Sequence, residues 1–189
     1  MRYLRFSFVI LLLALATSCS HKFDSNVLDL AFYQWNLWPD MEAALDEHAP
    51  SCGWEELHRG TGKLVRIPAL AKDHFPGESG LEVYWYHCRF TLPEGWEERE
   101  VTLHFEGVGP VTEVFLNQDP VGSHLGEEGE FEIDVSDVIY YTRDNHLAIR
   151  VSIRDGSESK GSEASGAGLS GSKGVGISGN VLAVSKIAP

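Results

Sequence analysis

The chain has 189 residues, with 28 acidic against 15 basic side chains, a formal charge of −13 and 43% apolar content. Such a surface repels phosphate backbones, which sets nucleic acids aside as partners. The apolar share can fill a core without staples, and the length suits one ordinary domain behind a leader.

The leader comes first. Arg2 and Arg5 form a positive n-region, Phe6 to Ala16 an apolar h-region, and Ala16, Thr17 and Ser18 lead into Cys19. A membrane-spanning helix needs about 20 apolar residues, so residues 1–18 read as a secretory signal peptide. The stretch Leu15-Ala16-Thr17-Ser18-Cys19 resembles a bacterial lipobox. That resemblance implies lipidation of Cys19, with the mature chain on the periplasmic or surface face of the cell envelope and touching the membrane only through its lipid. An ordinary secreted protein and an uncleaved anchor are the alternatives. Without residues 1–18, which hold Arg2 and Arg5, 171 residues remain with 13 basic against 28 acidic groups, a charge of −15. Residues 19–27 form a polar tether and 28–189 one domain.

Within that domain the predicted elements are short. Val27 to Met41 is an apolar, aromatic run that fits a first strand or strand pair, with Trp35 and Trp38 buried. Met41 to His48 is a poor helix, of two turns at most. Leu81 to Leu92 places Val83, Trp85 and His87 on one parity and Tyr84, Tyr86, Cys88 and Phe90 on the other, the pattern of a central strand covered on both faces. Val101, Leu103 and Phe105 alternate with polar residues, so one face of that strand is wet. Val111 to Leu116 and Phe131 to Val135 follow as strands. Leu147, Ile149, Val151 and Ile153 then alternate with Ala148, Arg150, Ser152 and Arg154. A Gly-Ser-rich stretch from Asp155 to Gly174 reads as a long loop, and Val175 to Val184 as a closing strand. Many short strands between Gly, Pro, Asn and Asp predict an all-β antiparallel sandwich, and the late return of the last strand suits a jelly roll.

The wording of these strands resembles the N-terminal sugar-binding domain of glycoside hydrolase family 2. Trp85-Tyr86 with Arg89-Phe90-Thr91-Leu92-Pro93 matches the family's opening motif. Leu103 to Val108, Val114 to Gly122, Gly122-Ser123-His124, Gly126 to Phe131 and then Asp134-Val135-Ser136 follow in order. Asn145 to Val151 and Gly176-Ile177-Ser178-Gly179 complete the set, and Trp54 with Ile67-Pro68 stands where the family has a comparable element. The resemblance implies a galactose-binding-domain-like jelly-roll β-sandwich. A related domain of bacterial sialate O-acetylesterases shares several of these motifs. The family has Asn-Gly at the hairpin where this chain has Asn117-Gln118-Asp119-Pro120, so a turn wider than the two-residue type I′ form is expected.

The resemblance implies an accessory role. Retaining glycosidases use two carboxylates about 5–5.5 Å apart, which the family carries on a barrel of roughly 250 residues. The 171 mature residues leave no room for sandwich and barrel together, and the barrel motifs are absent. Serine-hydrolase, zincin and P-loop patterns are absent too. The expectation is a module without catalytic residues that binds carbohydrate or supports a hydrolase catalytic chain. A truncated or split β-galactosidase-like hydrolase and an envelope protein with no ligand are the alternatives. Candidate sugar contacts, by aromatic stacking and polar pairing, are Trp35, Trp38, Tyr86, His124 and Glu128. No cofactor or metal site is expected, although acidic loops offer carboxylates to Ca²⁺ without a ligand motif. Cys52 and Cys88 form a candidate disulfide after export.

Overall fold

A computed structural model describes residues 26–43, 47–76, 82–97, 99–126, 129–153 and 174–187. The signal peptide, Cys19, most of the tether, Glu128 and most of the Gly-Ser stretch lie outside the described residues. In chain order the strands are β1 (Val27–Asp29), β2 (Trp35–Pro39), β3 (Lys63–Val65), β4 (Ala69–Leu70), β5 (Val83–Phe90), β6 (Arg99–Phe105) and β7 (Val108–Gly109). They continue as β8 (Val111–Leu116), β9 (Asp119–Leu125), β10 (Phe131–Asp134), β11 (Asn145–Ser152), β12 (Gly176–Ile177) and β13 (Val181–Ile187). Two short helices, α1 (Trp54–His58) and α2 (Ala71–His74), and a 3₁₀ turn at Leu30–Phe32 complete the described elements.

These strands build an all-β, galactose-binding-like jelly-roll sandwich. One sheet has the order β1-β13-β6-β10 and the facing sheet β3-β2-β5-β11-β8-β9, while β4-β12-β7 forms a small third sheet. Every pairing is antiparallel. The core between the sheets is filled by the parity that each strand turns inward. Trp35, Leu37, Tyr86, Cys88, Phe90, Leu103, Phe105, Leu147 and Ile149 are all buried in it. A buried tryptophan such as Trp35 or Trp96 contributes roughly 3–5 kcal/mol of apolar transfer before its ordering entropy.

The run from Val27 to Met41 is a strand pair split between layers. β1 hydrogen-bonds to β13 in one sheet and β2 to β5 in the other, with the 3₁₀ turn as the corner. Asp29 caps that turn by accepting from Ala31 N at 2.8 Å. No helix forms over residues 41–43 or 47–50.

As the two-sided apolar pattern predicts, β5 lies inside the six-stranded sheet with both faces covered. β6 turns Val101, Leu103 and Phe105 inward and alternates with less buried residues. β11 departs from its alternation: Ala148, Arg150 and Ser152 on the polar parity are as buried as the apolar residues between them. The β8–β9 hairpin corrects another expectation. Leu116 pairs with Asp119 across two residues, Asn117 at φ 56° and Gln118 at φ 81°, which is the two-residue type I′ geometry. Asn117 holds the turn in place. Its amide nitrogen donates to Val138 O and Asn145 Oδ1, and its oxygen accepts from His146 N, each at 3.0 Å.

The late glycines have a packing reason. Ser178 N and Gly179 N both donate to Gly107 O, bringing two backbones into contact. A Cβ on Gly179 would lie 2.8 Å from the carbonyl carbon of Glu106 and from Gly107 N, so only glycine fits.

Candidate functional site

The outer face of the six-stranded sheet is roofed by residues 40–43 and 47–60. Asp40, 3% exposed, is the peg that fastens this roof. Its carboxylate accepts from Ser51 N at 3.0 Å, Ser51 Oγ at 2.5 Å, Glu42 N at 3.3 Å and Trp85 Nε1 at 3.1 Å. Gly53 at φ +83° then turns the chain into α1. Five residues are too few for a helix to stand alone. Acidic Glu55 and Glu56 in its first turn suit the helix dipole. Packing supplies the rest. Leu57 is fully buried, and Trp54 meets Trp85 edge-on at 5.6 Å and Phe115 at 5.2 Å.

α1 carries His58 onto two strand histidines. In the β5–β11 register His87 faces Ala148 and His146 faces Arg89, so the two imidazoles are diagonal neighbours on the outer face. His87 Nε2 and His146 Nδ1 are 3.0 Å apart. His58 lies over both, with ring centroids 4.2 Å from His146 and 5.4 Å from His87 and interplanar angles of 20° and 23°. One nitrogen from each ring falls within 4.8 Å of the others, and no other His, Cys, Asp or Glu set among the described residues converges in this way. His58 Nε2 and His87 Nδ1 are buried with no hydrogen-bond partner among the described residues.

The electrostatics keep these rings uncharged. Burial, reinforced by His146, His58 and Arg89, pushes the His87 imidazole down to about 3. Burial and His146 push His58 down to about 4. His146 is lowered by burial and Arg89, with Asp144 acting the other way. Next to the cluster, Arg150 with a 3% exposed side chain donates to Glu113 at 2.8 Å, and Glu113 also meets His48 at 2.5 Å. The polar parity of β11 is thus dry because residues from about a hundred positions earlier cover it.

The sugar contacts expected from sequence do not converge. Trp35 and Tyr86 are fully buried inside the sandwich, so neither ring offers a face to a sugar. Trp35 Nε1 donates to Leu30 O at 2.9 Å, and the Tyr86 hydroxyl donates to Ala69 O at 2.9 Å. Burial raises the Tyr86 hydroxyl well above its ordinary value. Trp38 is half-buried on the outer face, paired with Trp85. His124, also half-buried, is on β9 at the far edge of that sheet, where it stacks on Phe131 at 4.6 Å and 5°. The disulfide is corrected as well. Cys52 and Cys88 are free thiols, and Cys88 points into the inner core while Cys52 packs with Trp85 on the opposite face of the sheet.

The three histidines escaped sequence reading. His87 and His146 both sit on their strands' outward parity, which is a signal, but only the β5–β11 pairing and the position of α1 make them neighbours.

Comparison with known proteins agrees with this architecture. A β-galactosidase of Thermoanaerobacter pseudethanolicus is 35% identical over 98 residues, 49% of this chain and 13% of that protein. A β-glucuronidase of Bacteroides fragilis is 31% identical over 61 residues, 32% of this chain and 9% of that protein. The crystal structure of a glycosyl hydrolase family 2 member from Bacteroides cellulosilyticus shares the fold with a TM-score of 0.63 at 15% identity, over 86% of this chain and 21% of that one. The chain spans less than a quarter of the length of each. Residues 72–175, more than half of the chain, match the family described as the glycosyl hydrolase 2 galactose-binding domain-like family, and the chain belongs to it.

Proposed function

We propose that this chain is a non-catalytic accessory module of the glycoside hydrolase family 2 type. It is exported by the signal at residues 1–18 and held at the bacterial cell envelope by a lipid on Cys19. There it engages carbohydrate or a hydrolase catalytic chain. The observation that carries this reading is the family match over residues 72–175. Surface composition supports a protein partner. Phe32 at 89%, Met41 at 78% and Leu64 at 62% exposure lie on or flank the β2–β3 edge, giving a neighbouring domain apolar surface to cover. Trp38, half-buried beside that edge, supplies an aromatic face for a sugar.

The test is a pull-down of the purified mature chain against its own envelope extract, run beside a soluble-glycan array. Retention of a chain bearing a family 2 catalytic barrel supports the subunit form. Array binding without a protein partner supports the sugar-binding form, and failure of both refutes the proposal. Replacing Cys19 with alanine is expected to move the protein from the membrane fraction to the soluble one.

A further inference from the structure

We infer that His58, His87 and His146 form a binding site for a divalent transition-metal ion of the zinc type, with three imidazole nitrogens and an open fourth position. Three separate elements, α1, β5 and β11, each deliver one ring nitrogen to a volume in which all three lie within 4.8 Å. Zinc–nitrogen bonds of about 2.0–2.1 Å in a tetrahedral set place the nitrogens ~3.3 Å apart. The His87–His146 pair at 3.0 Å is already near that spacing. Closing the third corner requires His58 to tilt out of its stack. That ring is partly exposed at the end of a five-residue helix followed by Gly60 at φ +87°, so a small shift of the last helical turn suffices. His87, 2% exposed, is the fixed ligand around which the other two adjust.

The donor chemistry fits this ion class. Imidazole nitrogens suit Zn²⁺, Cu²⁺ and Ni²⁺, whereas Ca²⁺ and Mg²⁺ require oxygen ligands. Burial favours the neutral form of each ring, the form that carries a ring lone pair. His58 Nε2 is buried without a partner, an unsatisfied state that metal ligation through this atom relieves. Where His87 and His146 face each other, one ring nitrogen carries a proton and the other a lone pair. With that proton on His146 Nδ1, a bound ion takes its place and the proton passes to His146 Nε2, keeping the ring neutral. α1 carries His58 over the two strand histidines, and three imidazoles leave the fourth position of a tetrahedral ion to a small exogenous ligand such as water.

The experiment uses the full mature chain without an affinity tag, stripped with a chelator and titrated with Zn²⁺ by calorimetry and with Co²⁺ by visible absorption. The expected result is one ion per chain and an intense four-coordinate Co²⁺ spectrum. Micromolar or tighter affinity and a rise in melting temperature that scales with metal concentration are also expected. His58→Ala leaves both strands intact and is expected to weaken binding at least about tenfold and abolish the Co²⁺ bands. His146→Asn is a second variant with the same expectation. His104→Ala alters a surface histidine paired with Glu132 and is expected to change nothing. No binding by the folded wild-type chain overturns the inference, and so does binding that survives His58→Ala and His146→Asn unchanged.

Discussion

Replacing Gln118 with glycine is expected to stabilise the protein by about 0.5–1 kcal/mol. Gln118 has φ 81° in a turn whose twist demands positive φ at both central residues. A left-handed residue with a Cβ costs about 1–2 kcal/mol. Asn117 at φ 56° largely escapes this cost, because its short amide bonds locally. Gln118 is exposed and has no such compensation. Glycine removes the strain and returns about 0.5–1 kcal/mol of unfolded-state entropy, which sets the net gain. Urea denaturation followed by tryptophan fluorescence is the assay, with the midpoint moving up at constant slope. The melting temperature should rise by about 1–4 °C for a domain of this size. Asn117→Ala is the opposing control. It removes three hydrogen bonds at about 1 kcal/mol each and leaves their partners exposed to loss, so about 3 kcal/mol should disappear. A Gln118→Gly midpoint that is unchanged or lower would refute the claim that this turn stores left-handed strain.

Gly179→Ala is expected to cost about 2 kcal/mol or more in the same assay, since the added carbon meets backbone of Glu106 and Gly107 that has nowhere to go. Trp85→Phe removes the Nε1 bond to Asp40 and opens space beside Trp54. About 3 kcal/mol should be lost, with the 40–60 segment more sensitive to limited proteolysis. In the metal-free protein, stability should fall as pH drops below about 6.5. His87 protonates near its ordinary value when unfolded but only near 3 when folded, so the unfolded state binds more protons in that window. At pH 5 the loss from His87 is about 2 kcal/mol relative to pH 8, and His87→Gln should flatten that slope. Maleimide labelling without reductant should leave Cys88 unmodified in the native protein and modify both Cys52 and Cys88 in denaturant. A mass showing the two joined would refute the free-thiol arrangement.

The sandwich was legible because its strands carry their burial in parity. β5 is apolar on both faces and lies in the middle of its sheet, and β6 is apolar on one face and lies in the four-stranded sheet with its alternate residues less buried. What covers a polar parity is not written locally. Arg150 looks solvent-facing in β11, yet it is buried against Glu113, which in turn meets His48 from a segment about a hundred residues earlier. The same non-locality hid the histidine cluster, whose members come from three elements that meet only in the fold. Trp35 and Trp38 were both reasonable aromatic candidates. An odd number of residues between them would keep one face, but they are three apart, so the strand pleat sends one inward and the other out. The hairpin was misjudged because Gln at a positive φ is locally unfavourable, and the bonds Asn117 makes to β11 and Val138 override that preference.

The split strand pair at the start of the domain has a mechanical consequence. A pulling force delivered through the residues before Val27 reaches β1 first, and β1 is a three-residue strand on the edge of its sheet. Such a strand can peel away from β13 one bond at a time at low force. The peeling front then meets the 3₁₀ corner, where Trp35 is fully enclosed and its indole is tied to Leu30. Beyond that corner, β2 is sandwiched between β3 and β5, and rupture requires several bonds to fail together. The N-terminal segment therefore acts as a slack-absorbing fuse, letting the domain lengthen under tension before its interior carries any load.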